Sequence, residues 1–403
     1  MSPPLENIRV LDMSRILAGP WAGQLLGDYG ADVIKVERPG TGDDTRQWGP
    51  PWFESASGRE SAYFLASNRN KRSVTVDLSM PRGQQLIREL SSRADILLEN
   101  FRVGTLERYG LGFATLRDVN PRLIYCSISA YGQTSSRAAE PGYDAMIQAS
   151  AGLMSITGPP DNDGAGPQKV GVAIADIMAG MYASTAVLAA LNARERSGEG
   201  QFIDVPLYDS QVAWLANQNM NYLIGGKVPG RMGTAHPNLV PYQVFATADG
   251  SLMLAVGNDR QFADCVTCIG APELAVDPRF SRNSGRVANR EALVPLLQAV
   301  FGTKPTGHWL SELREHGVPA GPVNDLHEVL GNDYAKEREL VQSVENSAGE
   351  KVPTVANPVD FSLTPVCYSS APPELGAHTN EVLQEWLGYS DKSIAELRKD
   401  SVI

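Results

Sequence analysis

Cysteine and histidine are scarce in this chain, four and five residues among 403, and their scarcity excludes several classes of protein. Cys126, Cys265, Cys268 and Cys367 are too few and too scattered for a disulfide framework. Cys265 and Cys268 form a C-x-x-C, but no second pair or nearby histidine completes a zinc set, so both read as ordinary helix positions. His236, His308, His316, His327 and His378 show no H-E-x-x-H or other ligand spacing, and no metal is expected. The N-terminus lacks a basic start followed by an apolar core, so neither a signal nor a transit peptide is read there. The longest uncharged apolar run, Ile177 to Leu191, is short for a membrane span and full of small residues. A net charge of −11 argues against nucleic acid as a partner. These absences leave a cytoplasmic globular protein, with an organelle matrix as second choice, long enough for more than one domain.

What is present is a rhythm. Segments rich in β-branched residues at 8–14, 32–38, 73–78, 94–100 and 122–129 alternate with stretches of helical apolar spacing such as WAGQLLGDYGA. The rhythm predicts an α/β fold, a parallel sheet with helices on both faces and a ligand crevice beyond the carboxyl ends of the strands. Those ends carry Arg15, Arg38, Arg46, Arg102 and Arg108, in a first quarter that is neutral while the rest of the chain holds the whole negative excess. A guanidinium gives two parallel hydrogen bonds to one oxyanion, which suits phosphate; the bland alternative is solvated surface charge. Glu37 stands where a ribose-binding acid would sit, but SRILAGP has no G-x-G-x-x-G, so a dinucleotide is the weaker choice. Arg38 beside Glu37 favours a ligand with an additional phosphate, which coenzyme A provides and NADP also has.

The stretch Gly171–Leu191 sets one carboxylate, Asp176, at the mouth of an apolar run. Two readings stay open on the residues alone. Asp176 is the N-cap of a helix beginning near Ile177, or it is a carboxylate nucleophile kept ionised by the positive end of the helix dipole. Upstream, a loop and a helix expected from Tyr143 to Leu153 hold Tyr143 and Asp144, which read equally as a core aromatic and a cap or as functional groups.

Taken together, IRVLDMSRILAGP, LGDYGADVIKVERPGTGDDTR, NKRSVTVDL, ENFRVGTLERYGL, PGYDAMIQASAG, VAIADIMAGMYA, SGEGQFIDVPLYDS, HGVPAGPVN and LGAHTNEVL resemble the class III CoA-transferases along nearly the whole chain. The resemblance implies a Rossmann-like large domain with a smaller α+β domain, in an interlocked homodimer. Polar GGKVPGRMGTAHP reads as a linker and the Asp249-Gly250 turn opens a new module; with the resemblance, this implies residues 1–224 in the large domain, 225–240 in a linker, 241–330 in the small domain and 331–403 as a second linker and C-terminal return to the large domain. It also implies that Asp176 is catalytic, attacking an acyl-CoA thioester to give an anhydride and then an aspartyl-CoA thioester. Arg15, Ile16, Leu17, Arg38, Asn100, Phe101, Arg102 and Arg108 would bind CoA, which is substrate and not a tightly held cofactor. Tyr143 and Asp144 would line the acyl pocket, with Arg46, Arg231 or His236 offering charge to an acceptor acid. Leu17 replaces a glutamine, and GRMGTAHPNLVPY replaces the glycine lid, of the formate-type relatives; RMGTAH resembles the branch that moves CoA between succinate, glutarate and related dicarboxylates. The alternatives are an α-methylacyl-CoA racemase, whose histidine this chain replaces with Tyr143, and a CoA-binding protein without catalysis. Neither nucleic acid nor membrane is an expected partner.

Overall fold

The computed structural model describes residues 2–56 and 58–403 and divides into two compact units. The first unit comprises the residues up to Leu153, Val170–Gly225 and Tyr334–Ile403. Its centre is a parallel sheet built from β1 (Arg9–Asp12), β2 (Asp32–Glu37), β5 (Lys71–Thr75), β6 (Ile96–Glu99), β7 (Ile124–Ser129) and β8 (Phe202–Pro206), while β3 (Trp52–Ser55) and β4 (Gly58–Ser61) form a separate antiparallel hairpin. The strand order is β5-β2-β1-β6-β7-β8, with Leu11 paired to Ile34 on one side and Leu97 on the other. The expected parallel α/β sheet is therefore present, with β8 added at an edge that the sequence rhythm did not mark.

Both faces of the sheet are buried, and for this reason its strands are near-continuously apolar. Successive side chains point to opposite faces. Val10, Ile96, Leu98 and Ile124 meet the Ala18–Asp28 and Ile174–Ser197 helices, whereas Leu11, Leu97 and Val74 meet the Pro81–Ser91 helix. Val382, Leu383 and Trp386 of the Thr379–Leu387 helix close the second face. Arg72 ties this returning segment to the sheet by pairing with Asp32, Glu381 and Glu385. A second tie is Asp28, fully buried, whose carboxylate accepts hydrogen bonds from Arg69, Asn70 and Asn357.

The Ile174–Ser197 helix has 24 residues and is long and apolar enough to cross a membrane by length and composition. In the fold, its small residues serve close packing. Ala175, Ala179, Ala183, Val187 and Ala190 are in the core, and a Cβ on Gly180 would meet the carbonyl oxygen of Ala18 at 2.6 Å.

The second unit comprises Met154–Lys169 and Gly226–Asp333. Its antiparallel sheet, β11-β10-β9, contains the hairpin of β9 (Tyr242–Ala246) and β10 (Ser251–Ala255) with β11 (Ala320–Pro322) beside it. Cys265 is buried on the Asp259–Cys268 helix, in a core with Phe245, Leu254 and Phe301. Met154–Lys169, placed in the large domain by the sequence boundaries, instead groups with this unit, because Arg231 pairs with Asp161 and donates to the carbonyls of Pro159 and Ala165.

The Gly180 contact is a backbone oxygen and cannot swing aside. Gly180→Ala should lower unfolding stability by about 1–3 kcal/mol, whereas Gly171→Ala, which meets open space, should leave it nearly unchanged. Urea midpoints of the two variants check this.

Candidate active site

Strand order reverses between β1 and β6, and there the loops after the two strands diverge and leave a crevice. Asn100, the first residue past β6, clasps the loop after β1. Its Oδ1 accepts from the Arg15 N–H at 2.8 Å and its Nδ2 donates to the Arg15 carbonyl at 2.7 Å. Two cavities open beside this clasp. One, about 400 Å³, is lined by Arg38, Ser79, Thr105 and Tyr109 among others. The second, about 170 Å³, is lined by Ile16, Leu17, Arg102, Glu140, Tyr143 and Asp176 among others. Arg15 and Phe101 line both, with the guanidinium 5.7 Å from the ring centroid.

Beneath the crevice is a set of buried charges. Lys71, at the start of β5, spends all three ammonium donors on Asp12 (2.9 Å), the Pro20 carbonyl (2.8 Å) and Asn68 (2.9 Å). Lys35 donates to Asp43 (2.8 Å) and to the Ser14 carbonyl (3.0 Å). Asp12 in turn accepts from the N–H and hydroxyl of Ser14. Glu37 accepts two parallel bonds from Arg46, each 2.8 Å, one from Ser73 and one from the Asp43 N–H. Burial opposes the ionisation of Asp43, but Lys35 and the Thr45 donors outweigh it and hold Asp43 at about 2. Burial pulls Lys71 down to about 8 against the attraction of Asp12. The loop held above these charges carries Ile16 at φ +73°, left-handed backbone that a β-branched residue seldom adopts. Its N–H faces both oxygens of Asp43 at 3.3 Å.

Asp176 is the third residue of the Ile174–Ser197 helix; Ala173 is the cap. The N-cap reading is thereby corrected, because the helix begins three residues earlier than its apolar run suggested. The carboxylate of Asp176 has no hydrogen-bond partner among the described residues. Burial first, and the nearby charge of Asp144 second, push Asp176 up to about 7. Both effects act against the ionised form that the sequence reading expected at this position.

The crevice brings together Arg15, Ile16, Leu17, Asn100, Phe101, Arg102, Tyr143 and Asp176, with Arg38 in the larger cavity. Arg108 lies on an exposed turn, with Thr105 as its hydrogen-bond partner at 3.4 Å, and lines neither cavity. Arg46 is buried against Glu37, Glu60 and the Pro373 carbonyl, so its donors are committed and it offers no charge to an acceptor. Arg231 is likewise engaged within the second unit. His236, in that unit, accepts from the Asn238 N–H at 3.0 Å and stacks near Tyr242 at 5.2 Å; burial and Arg290 lower its basicity. Asp144 does not line the smaller cavity, and its oxygens are taken by Ala175 N–H (2.8 Å) and Gln148 Nε2 (2.8 Å). Glu37, with every acceptor used, has none left for a ribose hydroxyl. Sequence reasoning missed Asp12, Lys35, Asp43 and Lys71 as the supports of this site. Lys35 in the middle of DVIKVE was the available signal, since a charge on a strand buried on both faces requires a partner.

The fold and these cavities define a doubly wound α/β protein with its ligand crevice at the switch point of the sheet. The profile of CoA-transferase family III matches residues 5–379, and the chain belongs to that family. It is an enzyme that transfers coenzyme A, and a CoA thioester is its substrate. Among relatives, it is 48% identical over 385 residues to a succinate–glutarate CoA-transferase of Agrobacterium fabrum, covering 95% of this chain and 96% of the relative. It is 42% identical over 400 residues to the human succinyl-CoA:glutarate CoA-transferase, covering 99% and 90%. The crystal structure of a CAIB/BAIF family protein from Brucella suis superposes with a TM-score of 0.84 at 46% identity, covering 96% of this chain and all of the other.

Removing the cation from the Lys35–Asp43 pair strands a fully buried carboxylate. Lys35→Met should destabilise the protein by about 3–5 kcal/mol at neutral pH. Asp43 titrates at about 2 when folded and near 3.8 when free, so the pair stabilises above pH 4 and loses its contribution as pH falls toward 2. Denaturant titrations of both proteins across that window should show the gap narrowing.

Proposed function

We propose that this enzyme moves coenzyme A between dicarboxylic acids of the succinate and glutarate type, with Asp176 as its nucleophile. The observation that carries the proposal is Asp176 itself, a carboxylate without a hydrogen-bond partner among the described residues, lining the small cavity of the crevice. The names of the relatives supply the substrate class. The larger cavity, with Arg38, Tyr109 and Phe101, suits the nucleotide end of CoA, and the smaller one suits the thioester. Remote binding of the nucleotide then positions the reacting carbonyl.

In the first step, a carboxylate oxygen of Asp176 attacks the thioester carbon, and the carbon–sulfur bond breaks to give a mixed anhydride and CoA thiolate. The thiolate attacks the Asp176 carbonyl, releasing the donor acid as carboxylate and leaving an aspartyl-CoA thioester. An acceptor carboxylate attacks that thioester, forming a second anhydride and thiolate. Attack of the thiolate on the acceptor carbonyl yields the new acyl-CoA and restores Asp176. No proton moves in any step, so no general base is required. The racemase alternative would need a proton-transfer partner for Asp176; Asp144 is a second carboxylate with both oxygens occupied.

The working unit in this proposal is a homodimer. The Ile174–Ser197 helix leaves Met181, Tyr182 and Leu188 in solvent, and no residue of the Asn217–Gly225 helix is buried, with Leu223 71% and Ile224 80% exposed. Apolar exposure of this extent suits an interface with a second copy. A monomer mass by light scattering at micromolar concentration would rule the dimer out.

Two outcomes are expected for the chemistry. Asp176→Asn should abolish transfer while retaining CoA binding, and wild-type enzyme given acyl-CoA alone should gain CoA mass on Asp176; an active Asn variant with no adduct would defeat the mechanism. Because only the ionised carboxylate attacks, transfer should decline as pH drops below about 7. The stability sign runs the other way, since burying the ionised form is costly. Asp176→Asn should be more stable than wild type at pH 8, with the difference vanishing toward pH 4.

A further inference from the structure

Asp144 bridges two elements. It is the first residue of the Asp144–Ser150 helix, yet its Oδ1 accepts from the N–H of Ala175 in the first turn of the Ile174–Ser197 helix, at 2.8 Å. Ala175 immediately precedes Asp176. The other oxygen, Oδ2, accepts from Gln148 Nε2 at 2.8 Å. Gln148 is fully buried and its amide is used at both ends, since Nε2 also donates to the Val172 carbonyl at 3.3 Å and Oε1 accepts from the Val170 N–H at 2.8 Å. Three hydrogen bonds therefore hold the return loop at 170, 172 and 175 against one helix, and the third ends one residue from Asp176.

The geometry points to Asp144 and Gln148 as a positioning pair for the nucleophile, fixing the first turn of its helix without touching substrate. The inference rests on the assignment of Asp176 as nucleophile. A side chain with no hydrogen bond of its own takes its direction from its backbone, and here that backbone is fixed by Asp144. An angular error at a nucleophile is expensive, because the reacting atoms must approach within bonding alignment.

The pair has an electrostatic consequence as well as a geometric one. A second carboxylate beside Asp176 disfavours its ionised form, which raises its nucleophilicity at the cost of needing higher pH. The charged and titratable groups around Asp176 are Asp144 from the Asp144–Ser150 helix, Tyr63 from the Ala62–Leu65 helix, and Arg15, Arg102, Glu140 and Tyr143 around the cavity. Arg15 already pairs with Asp44 and Glu140 with Arg137, while Asp144 is the neighbour whose charge bears on Asp176.

Single-turnover formation of the CoA adduct, followed by intact mass across pH 5 to 9, separates the two roles. Wild type reports first on the underlying assignment, since absence of any adduct would sink the nucleophile and not the pair. Given a wild-type adduct, Asp144→Asn should slow its formation and move the acid limb of the rate down by about one pH unit, with CoA affinity unchanged. Gln148→Met keeps the charge and removes the clamp, so it should slow adduct formation roughly 10- to 100-fold with the acid limb where it was. This second variant decides the clamp even if Asp144→Asn fails to fold. An Asp144→Asn enzyme with wild-type rate and acid limb would overturn the inference. So would a Gln148→Met enzyme with a wild-type rate, or a loss in either variant confined to the KM of the acceptor acid.

Discussion

Lysine side chains buried inside a parallel sheet impose the constraint on which this large unit is built. Lys35 and Lys71 lie where water cannot reach them, and an ammonium there persists only if anions and carbonyls replace its hydration. Asp12, Asp43, Ser14 and Pro20 supply them, from a strand end, two loops and the first turn of the Ala18–Asp28 helix, which must stay put for the neutralisation to hold. The crevice is thus rigid for electrostatic reasons. The same Asp43 that answers Lys35 also faces the N–H of Ile16, so a residue in strained left-handed backbone is held at the lip of the smaller cavity by a charge whose first duty is elsewhere.

Asp176 obeys the opposite rule. The buried acids below the crevice are paired, and Asp12, Glu37 and Asp43 are held below their ordinary range. Asp176 has no paired cation among the described residues and a like charge nearby, and its affinity for protons rises accordingly. Two carboxylate environments within one unit, one stabilised and one left costly, are the arrangement expected where stability is the task of the first and reactivity the task of the second. Glu99 is a further buried acid whose proton affinity is raised. Burial pushes it up to about 7 despite hydrogen bonds with Ser127 and the Phe101 N–H, and it stands directly before the Asn100 clasp.

Much of the fold was legible from the chain. The alternation of β-branched and helical segments located five of the six parallel strands, and the small residues after Asp176 marked a closely packed helix before its contact with Ala18 was visible. β8 escaped because most of its positions are partly or fully exposed, which removes the apolar run that identifies an interior strand. The helix start was misplaced because Ile174 and Ala175 belong to a return loop by composition, whereas the backbone bond from the Ile177 N–H to the Ala173 carbonyl places them in the first turn. Local pattern also could not separate free arginines from committed ones. Arg38 and Arg46 both follow the second strand, yet Arg46 is locked to Glu37 and Arg38 is open. That difference depends on a partner nine residues away in sequence and on Pro373 from the returning chain.

Commitment of donors finally decides which cations can meet a ligand. Arg46, Arg69 and Arg72 each hold structural carboxylates, and moving any of them to a ligand would leave those anions unpaired. Arg15 shares itself with Asp44. Arg38 and Arg102 are exposed, and their guanidinium groups make no hydrogen bond or ion pair among the described residues; one lines the larger cavity and the other the smaller. A ligand with an anionic group at each end of the crevice would find an unengaged fork at each, whereas the same ligand gains nothing from the more numerous arginines already paired. The balanced charge of the first 110 residues is therefore a poor guide to anion binding, and the unsatisfied fraction of its guanidinium donors is a better one.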